Sequence, residues 1–320
     1  MNTKDKTLAV VFPGQSSQHL GMLSDFATRY KLVRKIFDEV SEILNYDIWR
    51  LTQYGPITKL NKTCYAQPAI LTASVIIWRV WREQGGQIPN LMAGHSLGEY
   101  SALVCSESID LLSAVKLIMV RSKLMQEVSP YGDGAMSVII GLNNDTVIEF
   151  CKMTESIYNQ IVAPAGFNAP GNIVISGHIK AVEKVNLFCK KAGAKYVKFL
   201  PISVPSHCII MKPMVNKFKE ALKKVKIYPP KIPIINNTDV SIESEPLAIR
   251  DALIRQLYTP VRWHEIIQKI IGNNIEKFLE MGPGKVLTQL IQRSMYDNIF
   301  SLSINNINRL LTAINMCVKN

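Results

Sequence analysis

Residues 90–104 read NLMAGHSLGEYSALV: a short apolar run, then Gly94-His95-Ser96-Leu97-Gly98, then a second apolar-rich stretch with helical spacing. A chain that passes from strand to helix through one serine flanked by glycines must turn so sharply that nearby Cβ atoms would clash. Such a turn suits the edge of a parallel sheet whose helices pack back on its faces, and it lifts the serine hydroxyl into the open. The same turn leaves the amide of Leu97 at a helix N-terminus, where the helix dipole favours negative charge. Glycine and serine are also common in ordinary turns, so the pentapeptide alone is a short signal. Its setting between a strand and a helix points to a nucleophile.

The remaining pattern agrees with that setting. LAVVFPG opens as a buried strand ending in a Pro-Gly turn, and residues 20–45 carry helical spacing. AQPAILTASVIIWRVWREQG, residues 66–85, is a long apolar helix closed by Gly85 and Gly86. Asp110 is placed to cap the helix LLSAVKLIMVRSKLMQEV. After SPYGDG (129–134) the rhythm changes: AMSVIIGL is a strand, NDTVIEFCKM a helix, QIVAPAGFNAPGNIVISG two strands, IKAVEKVNLFCKKAG a helix and KYVKFL a strand. That order, β-α-β-β-α-β, is the ferredoxin-like unit. From Pro201 the larger pattern resumes with a helix at 208–225, the strand IPIINN, helices through 245–271, the strand EKFLEMG, a helix at 285–295 and the strand FSLSI. The expected fold is α/β: an α/β-hydrolase-like parallel-sheet domain (1–130 and 201–320) with an inserted ferredoxin-like α+β subdomain (131–200), and a cleft where the two meet.

A serine nucleophile needs a base, and the chain holds five histidines: His19, His95, His178, His207 and His264. His95 adjoins the serine within the turn and is expected to pack rather than react. His178 and His264 fall at predicted helix starts, as surface or capping residues. His19 follows a Gly/Ser-rich loop and could line the cleft. His207, in SVPSHC, lies where the chain returns from the insertion to the larger domain, which makes it the leading base; a buried core histidine is the competing reading. The loop FPGQSSQ follows the first strand, so the amide of Gln15 is placed at the mouth of the sheet, where a second donor to an oxyanion is needed. An ordinary polar loop is the competing reading there.

Bulk properties exclude several classes. The 37 Lys and Arg against 25 Asp and Glu give a formal charge of +12, which favours an acidic partner. The lysines are strewn along the chain, as in KPMVNKFKEALKKVK, and no arginine-rich or aromatic-basic block points to nucleic acid. The longest apolar run, AILTASVIIW, is too short for a bilayer, and MNTKDKTLAVVFPGQ lacks the features of a signal peptide. Six dispersed cysteines form no metal-ligand or disulfide spacing and suit the cytoplasm. No metal site and no membrane contact are expected.

VFPGQSSQHLGM, YAQPAILTASV, GHSLGEYSALV, GDGAMSVIIGL, NAPGNIVISG, SVPSHCIIMKP, QLYTPVRW and EMGPGKVL follow one another along nearly the whole chain. Together they resemble the malonyl-CoA:acyl carrier protein transacylases of bacterial type II fatty acid synthesis. The resemblance implies ping-pong acyl transfer: Ser96 attacks the thioester of malonyl-CoA, His207 takes its proton, and the amides of Leu97 and Gln15 form the oxyanion hole. It also implies that a main-chain carbonyl near Gln256, rather than a carboxylate, orients His207. Arg121, in MVRSKLMQE, matches the arginine that grips the free malonyl carboxylate, and Asn168 is a cleft residue of lesser weight. No cofactor is implied, since the CoA thioester is a substrate. The expected partner is an acidic, phosphopantetheinylated acyl carrier protein, and the enzyme is expected to act as a monomer. Three positions depart from the family pattern, with Ser16 and Ser122 where glycines are usual and Asn172 where glutamine is. A hydrolase with the same turn would place an acid between serine and histidine and the histidine late in the chain, yet residues 208–320 follow His207. Two further readings are a non-catalytic binding protein of this fold and an acyltransferase serving polyketide assembly.

Overall fold

Strand β1 (Leu8–Phe12) is LAVVF, five apolar residues in succession, and it is buried at every position. A strand with no polar face belongs inside a sheet covered on both sides. The computed structural model, which describes residues 8–318 apart from 131, 203, 295 and 297, puts β1 at the centre of a five-stranded sheet. Its companions are β2 (Leu91–Gly94), β7 (Ile234–Ile235), β8 (Lys277–Glu280) and β9 (Phe300–Ser303), in the order β7-β2-β1-β8-β9, every pair parallel. Alternation along β1 divides two cores: Leu8, Val10 and Phe12 join one, with helices Lys31–Leu44, Thr63–Glu83 and Leu111–Val128, while Ala9 and Val11 join the other, with Trp263–Gly272 and Val286–Arg293.

A second sheet holds β3 (Gly134–Ile140), β4 (Val162–Ala169), β5 (Asn172–His178) and β6 (Tyr196–Phe199) in the order β4-β5-β3-β6, every pair antiparallel. Helices Asn144–Tyr158 and Ile179–Lys191 cover one face through Val147, Cys151, Val182 and Val185. The opposite face carries Met136, Ala165 and Val174 toward the larger sheet. Strand β4 is tied across by Phe167 N–H to the Val261 carbonyl (2.8 Å) and Val261 N–H to the Ala165 carbonyl (3.0 Å).

Several elements are shorter than their sequence patterns. The helix expected at 208–225 is a 3₁₀ stretch, Ile209–Met214, followed by an α-helix, Val215–Lys223, because Pro213 brings no N–H to an α-helical ladder. Its lysines face solvent while Phe218 and Leu222 are buried. The helical region 245–271 divides into Pro246–Arg255 and Trp263–Gly272, with Pro260 between them. IPIINN contributes only two strand residues, because the main-chain N–H groups of Asn236 and Asn237 donate outside the sheet, to the Ser241 carbonyl and to Oε2 of Glu99. Asp110 does cap its helix, accepting from Ser113 N–H at 2.9 Å. No described helix is long and apolar enough to cross a membrane.

Candidate active site

The turn after β2 shows why its glycines are required. A Cβ on Gly94 would lie 1.9 Å from the Gly98 carbonyl carbon, and one on Gly98 would lie 2.0 Å from the Phe12 carbonyl oxygen. Between them Ser96 takes φ +53°, a conformation disfavoured for residues with a side chain. Asn237, in the turn two residues after β7 and fully buried, holds it there. Its Oδ1 accepts from Ser96 N–H at 2.6 Å and its Nδ2 donates to the Gly94 carbonyl at 2.6 Å. The serine hydroxyl emerges at the carboxyl ends of the parallel strands and lies 2.7 Å from Nε2 of His207.

His207 is also in the left-handed region, φ +64°, with its N–H bonded to the Leu257 carbonyl at 3.1 Å. Its Nδ1 lies 2.8 Å from the main-chain carbonyl of Gln256. A carbonyl only accepts, so Nδ1 carries the proton and Nε2 presents its lone pair to Ser96. Burial, aided by the nearby charge of Arg121, pushes the imidazole down to about 3. The ring is therefore neutral near pH 7, as a base must be before it accepts a proton.

The Gln256 side chain continues the network. Its Nε2 donates to the Ser96 carbonyl (3.1 Å) and to Oε2 of Glu99 (2.8 Å), and its Oε1 accepts from Nη2 of Arg121 (3.4 Å). Glu99, in the first turn of helix Gly98–Cys105, also accepts from Asn237 N–H at 3.1 Å, and burial pushes its carboxyl up to about 7. Arg121 is 1% exposed. Its Nη1 donates to Oε1 of Gln67 at 2.8 Å, its Nε has no partner among the described residues, and its guanidinium lies over the Tyr100 ring, 5.6 Å from the centroid. Among the described residues no carboxylate forms an ion pair with it. A buried cation with only neutral acceptors and an N–H without a partner among the described residues can receive a carboxylate.

The cavity in front of Ser96 is about 610 Å³, and Arg121, Gln67 and His207 line it, with the apolar face of the second sheet opposite. The loop after β1 crosses its floor so closely that a Cβ on Gly14 would be 2.7 Å from the His95 carbonyl oxygen. Among the described residues neither the Gln15 nor the Leu97 N–H bonds a backbone acceptor, and both residues line the cavity. Two free amides beside a nucleophile can hold an oxyanion. Ser16 has φ +83°, so the residue that departs from the glycine pattern occupies a conformation that favours glycine.

Asn168 reaches the cavity and bonds Nε2 of His95 through Oδ1 at 2.9 Å, while the His95 ring packs 5.4 Å from that of Trp263. His95 thus links the serine turn to β4. The other histidines lie outside: His19 bonds the Pro283 carbonyl (2.9 Å), His178 accepts from Ile161 N–H (3.0 Å), and His264 meets the Tyr296 hydroxyl (3.1 Å). His19 is therefore a loop tie rather than a cleft residue. Sequence reasoning missed Asn237, Glu99 and Gln67. The last two stand inside the motifs GHSLGEYSALV and YAQPAILTASV, and a polar residue set in an apolar helical run was the available signal. Among the described residues no cluster could hold a metal ion.

Comparison with known proteins places the chain. The acyl transferase domain family matches residues 9–308. The malonyl CoA-acyl carrier protein transacylase of Salmonella typhimurium is 50% identical over 297 residues, 93% of this chain and 95% of that protein. The Escherichia coli K12 protein of the same name is 48% identical over 308 residues, 96% and 99% of the two chains. A malonyl-transacylase solved in complex with a type II PKS acyl-carrier protein superposes with TM-score 0.94 at 50% identity, covering 97% of this chain and all of that one. The malonyl CoA-acyl carrier protein transacylase of Coxiella burnetii superposes with TM-score 0.94 at 43% identity, covering 98% and 99%. With nearly its whole length and both of its sheets accounted for, the chain belongs to the malonyl CoA-acyl carrier protein transacylases, within the acyl transferase domain family.

Proposed function

We propose that this enzyme moves a malonyl group from malonyl-CoA to the phosphopantetheine thiol of an acyl carrier protein through a malonyl-Ser96 intermediate, supplying fatty acid synthesis. The observation that carries the reading is a serine hydroxyl 2.7 Å from a neutral imidazole, in a cavity that also holds an un-neutralised buried arginine. His207 Nε2 takes the Ser96 proton as Oγ attacks the thioester carbonyl, and the oxyanion accepts hydrogen bonds from the Leu97 and Gln15 amides. The carbonyl re-forms as the C–S bond breaks, and His207 returns the proton to the CoA thiolate. The carrier thiol then loses its proton to His207 and attacks the ester, and the proton goes back to Ser96. The Gln256 carbonyl stabilises the transient imidazolium through Nδ1–H, the place a carboxylate takes in other serine enzymes.

Arg121 grips the malonyl carboxylate, and acetyl-CoA leaves that cation unpaired, which is the basis of rejection. Asn168 supports the site through His95. The larger unit, 1–130 and 201–320, supplies the nucleophile and base, and the unit 131–200 supplies the opposite wall. A net charge of +12 suits an acidic carrier. The chemistry needs no resident cofactor, and we assign it to a monomer in the cytoplasm, where six free thiols persist.

The test is intact-protein mass spectrometry after brief mixing with malonyl-CoA or acetyl-CoA, beside Ser96→Ala. One malonyl adduct is expected, absent in the variant, much weaker with acetyl-CoA, and discharged by a phosphopantetheinylated carrier. No adduct and no released CoA would refute the reading. Fast release of free malonate without a carrier would make the protein a hydrolase.

A further inference from the structure

Gln256 serves the site twice, through its main-chain carbonyl and through its side chain, and only the side chain can be set in two ways. An amide turned by 180° exchanges its oxygen and its NH₂ with little change of shape, so the neighbours decide its orientation. Here Nε2 meets two acceptors, Oε2 of Glu99 and the Ser96 carbonyl, and Oε1 meets the guanidinium of Arg121. Turned over, the NH₂ would face a guanidinium, donor against donor, and the oxygen would face a carboxylate. Glu99 is itself immobilised, since the same Oε2 accepts from Asn237 N–H.

The interposed amide also separates an acidic group from a cation. The field of Glu99, like that of Tyr100, reaches Arg121, yet its Oε2 bonds Gln256 and Asn237, and among the described residues no ion pair joins Glu99 to Arg121. A carboxylate bonded directly to the guanidinium would occupy the N–H groups that a substrate carboxylate must use. Bonded through Gln256 it leaves them open.

We propose that Glu99 is a positioning residue for acyl selectivity: its carboxylate holds the Gln256 amide with the oxygen toward Arg121, and the amide keeps that carboxylate off the guanidinium. The inference rests on the malonyl-transfer reading. It concerns a residue that touches neither Ser96 Oγ nor the acyl group.

The test compares wild type, Glu99→Ala and Glu99→Asp for acylation of Ser96 by malonyl-CoA and by acetyl-CoA, with kcat and KM read separately. Removing the shorter of the two Nε2 contacts leaves the amide held only by the Ser96 carbonyl and Arg121, so its oxygen is presented to the guanidinium less firmly and Glu99→Ala is expected to lower malonyl-over-acetyl selectivity about tenfold, chiefly through the malonyl KM. Acetyl turnover should fall by a clearly smaller factor than malonyl turnover, because Glu99 reaches the serine turn only through Asn237 and Gln256. Glu99→Asp draws the acceptor back by one methylene and is expected to lose selectivity by a smaller factor. Where Glu99→Ala fails to fold, Glu99→Asp decides by the same readings. Unchanged selectivity, or malonyl and acetyl rates falling in parallel, overturns the proposal. Absence of a malonyl adduct on the wild-type protein overturns the function it rests on instead.

Discussion

Replacing Asn237 by alanine should damage both the stability and the reactivity of the serine turn. The side chain is fully buried, and it makes two 2.6 Å hydrogen bonds, one from Ser96 N–H and one to the Gly94 carbonyl. Removing it leaves two buried main-chain groups without partners, each at a cost of about 1–3 kcal/mol. The cavity beside the turn admits water on one side, so the expected loss lies in the lower half of that sum, about 2–4 kcal/mol. Ser96 at φ +53° is held against a backbone preference of roughly 1–3 kcal/mol. Released, the turn relaxes and Oγ leaves its 2.7 Å contact with His207, which should slow acylation by about a hundredfold or more. Asn237→Asp has the same shape but puts a carboxylate oxygen against the Gly94 carbonyl in place of a donor, so it should not rescue. Urea unfolding and the burst rate of the malonyl adduct measure the two effects. An alanine variant within about 0.5 kcal/mol of wild type and with a normal burst would refute the bracing role. So would full rescue by aspartate.

Arg121→Ala should reduce kcat/KM for malonyl-CoA by about 10²–10⁴ through loss of charge-assisted hydrogen bonds, while acetyl-CoA acylation persists; equal loss for both donors would remove the carboxylate grip. Ser16→Gly should stabilise the protein by about 1 kcal/mol, since Ser16 stands at φ +83°, and a lower urea midpoint would contradict that strain. Glu99→Gln tests the buried acid by pH. The folded carboxyl sits at about 7 against an ordinary 4.5, so its favourable contribution is complete below the unfolded value and disappears as pH rises through the folded one. The stability of wild type relative to the variant should therefore fall by about 3 kcal/mol between pH 4 and pH 8, and a constant difference would disprove the shift.

What could be read from the chain without its fold follows from short-range sterics. Gly94 and Gly98 are legible because the clash they avoid lies within four residues and across one neighbouring strand. The run LAVVF declares a strand covered on both faces, and the alternation of strands and helices through 134–199 yields the order of the antiparallel sheet. Element ends were less legible. Pro213 and Pro260 interrupt helices that periodicity alone would continue, since periodicity records which face is apolar and not where the hydrogen-bond ladder stops.

The polar support of the site lies on the other side of that line. Glu99 meets Gln256 across 157 positions, Asn237 meets Ser96 across 141, and Gln67 meets Arg121 across 54. A polar residue in an apolar helical run marks Gln67 and Glu99 as unusual but does not name their partners, and nothing near Asn237 in the chain distinguishes a buried, bonded amide from one in solvent. The helix that carries Arg121 mixes apolar and charged residues, so its buried face is set by the helix packed against it, Thr63–Glu83, rather than by its own sequence. Folding brings these side chains together, and removal from water then sets their chemistry. A neutral imidazole, a carboxyl pushed up to about 7 and a cation left without a counter-charge all follow from burial among partners distant in the chain.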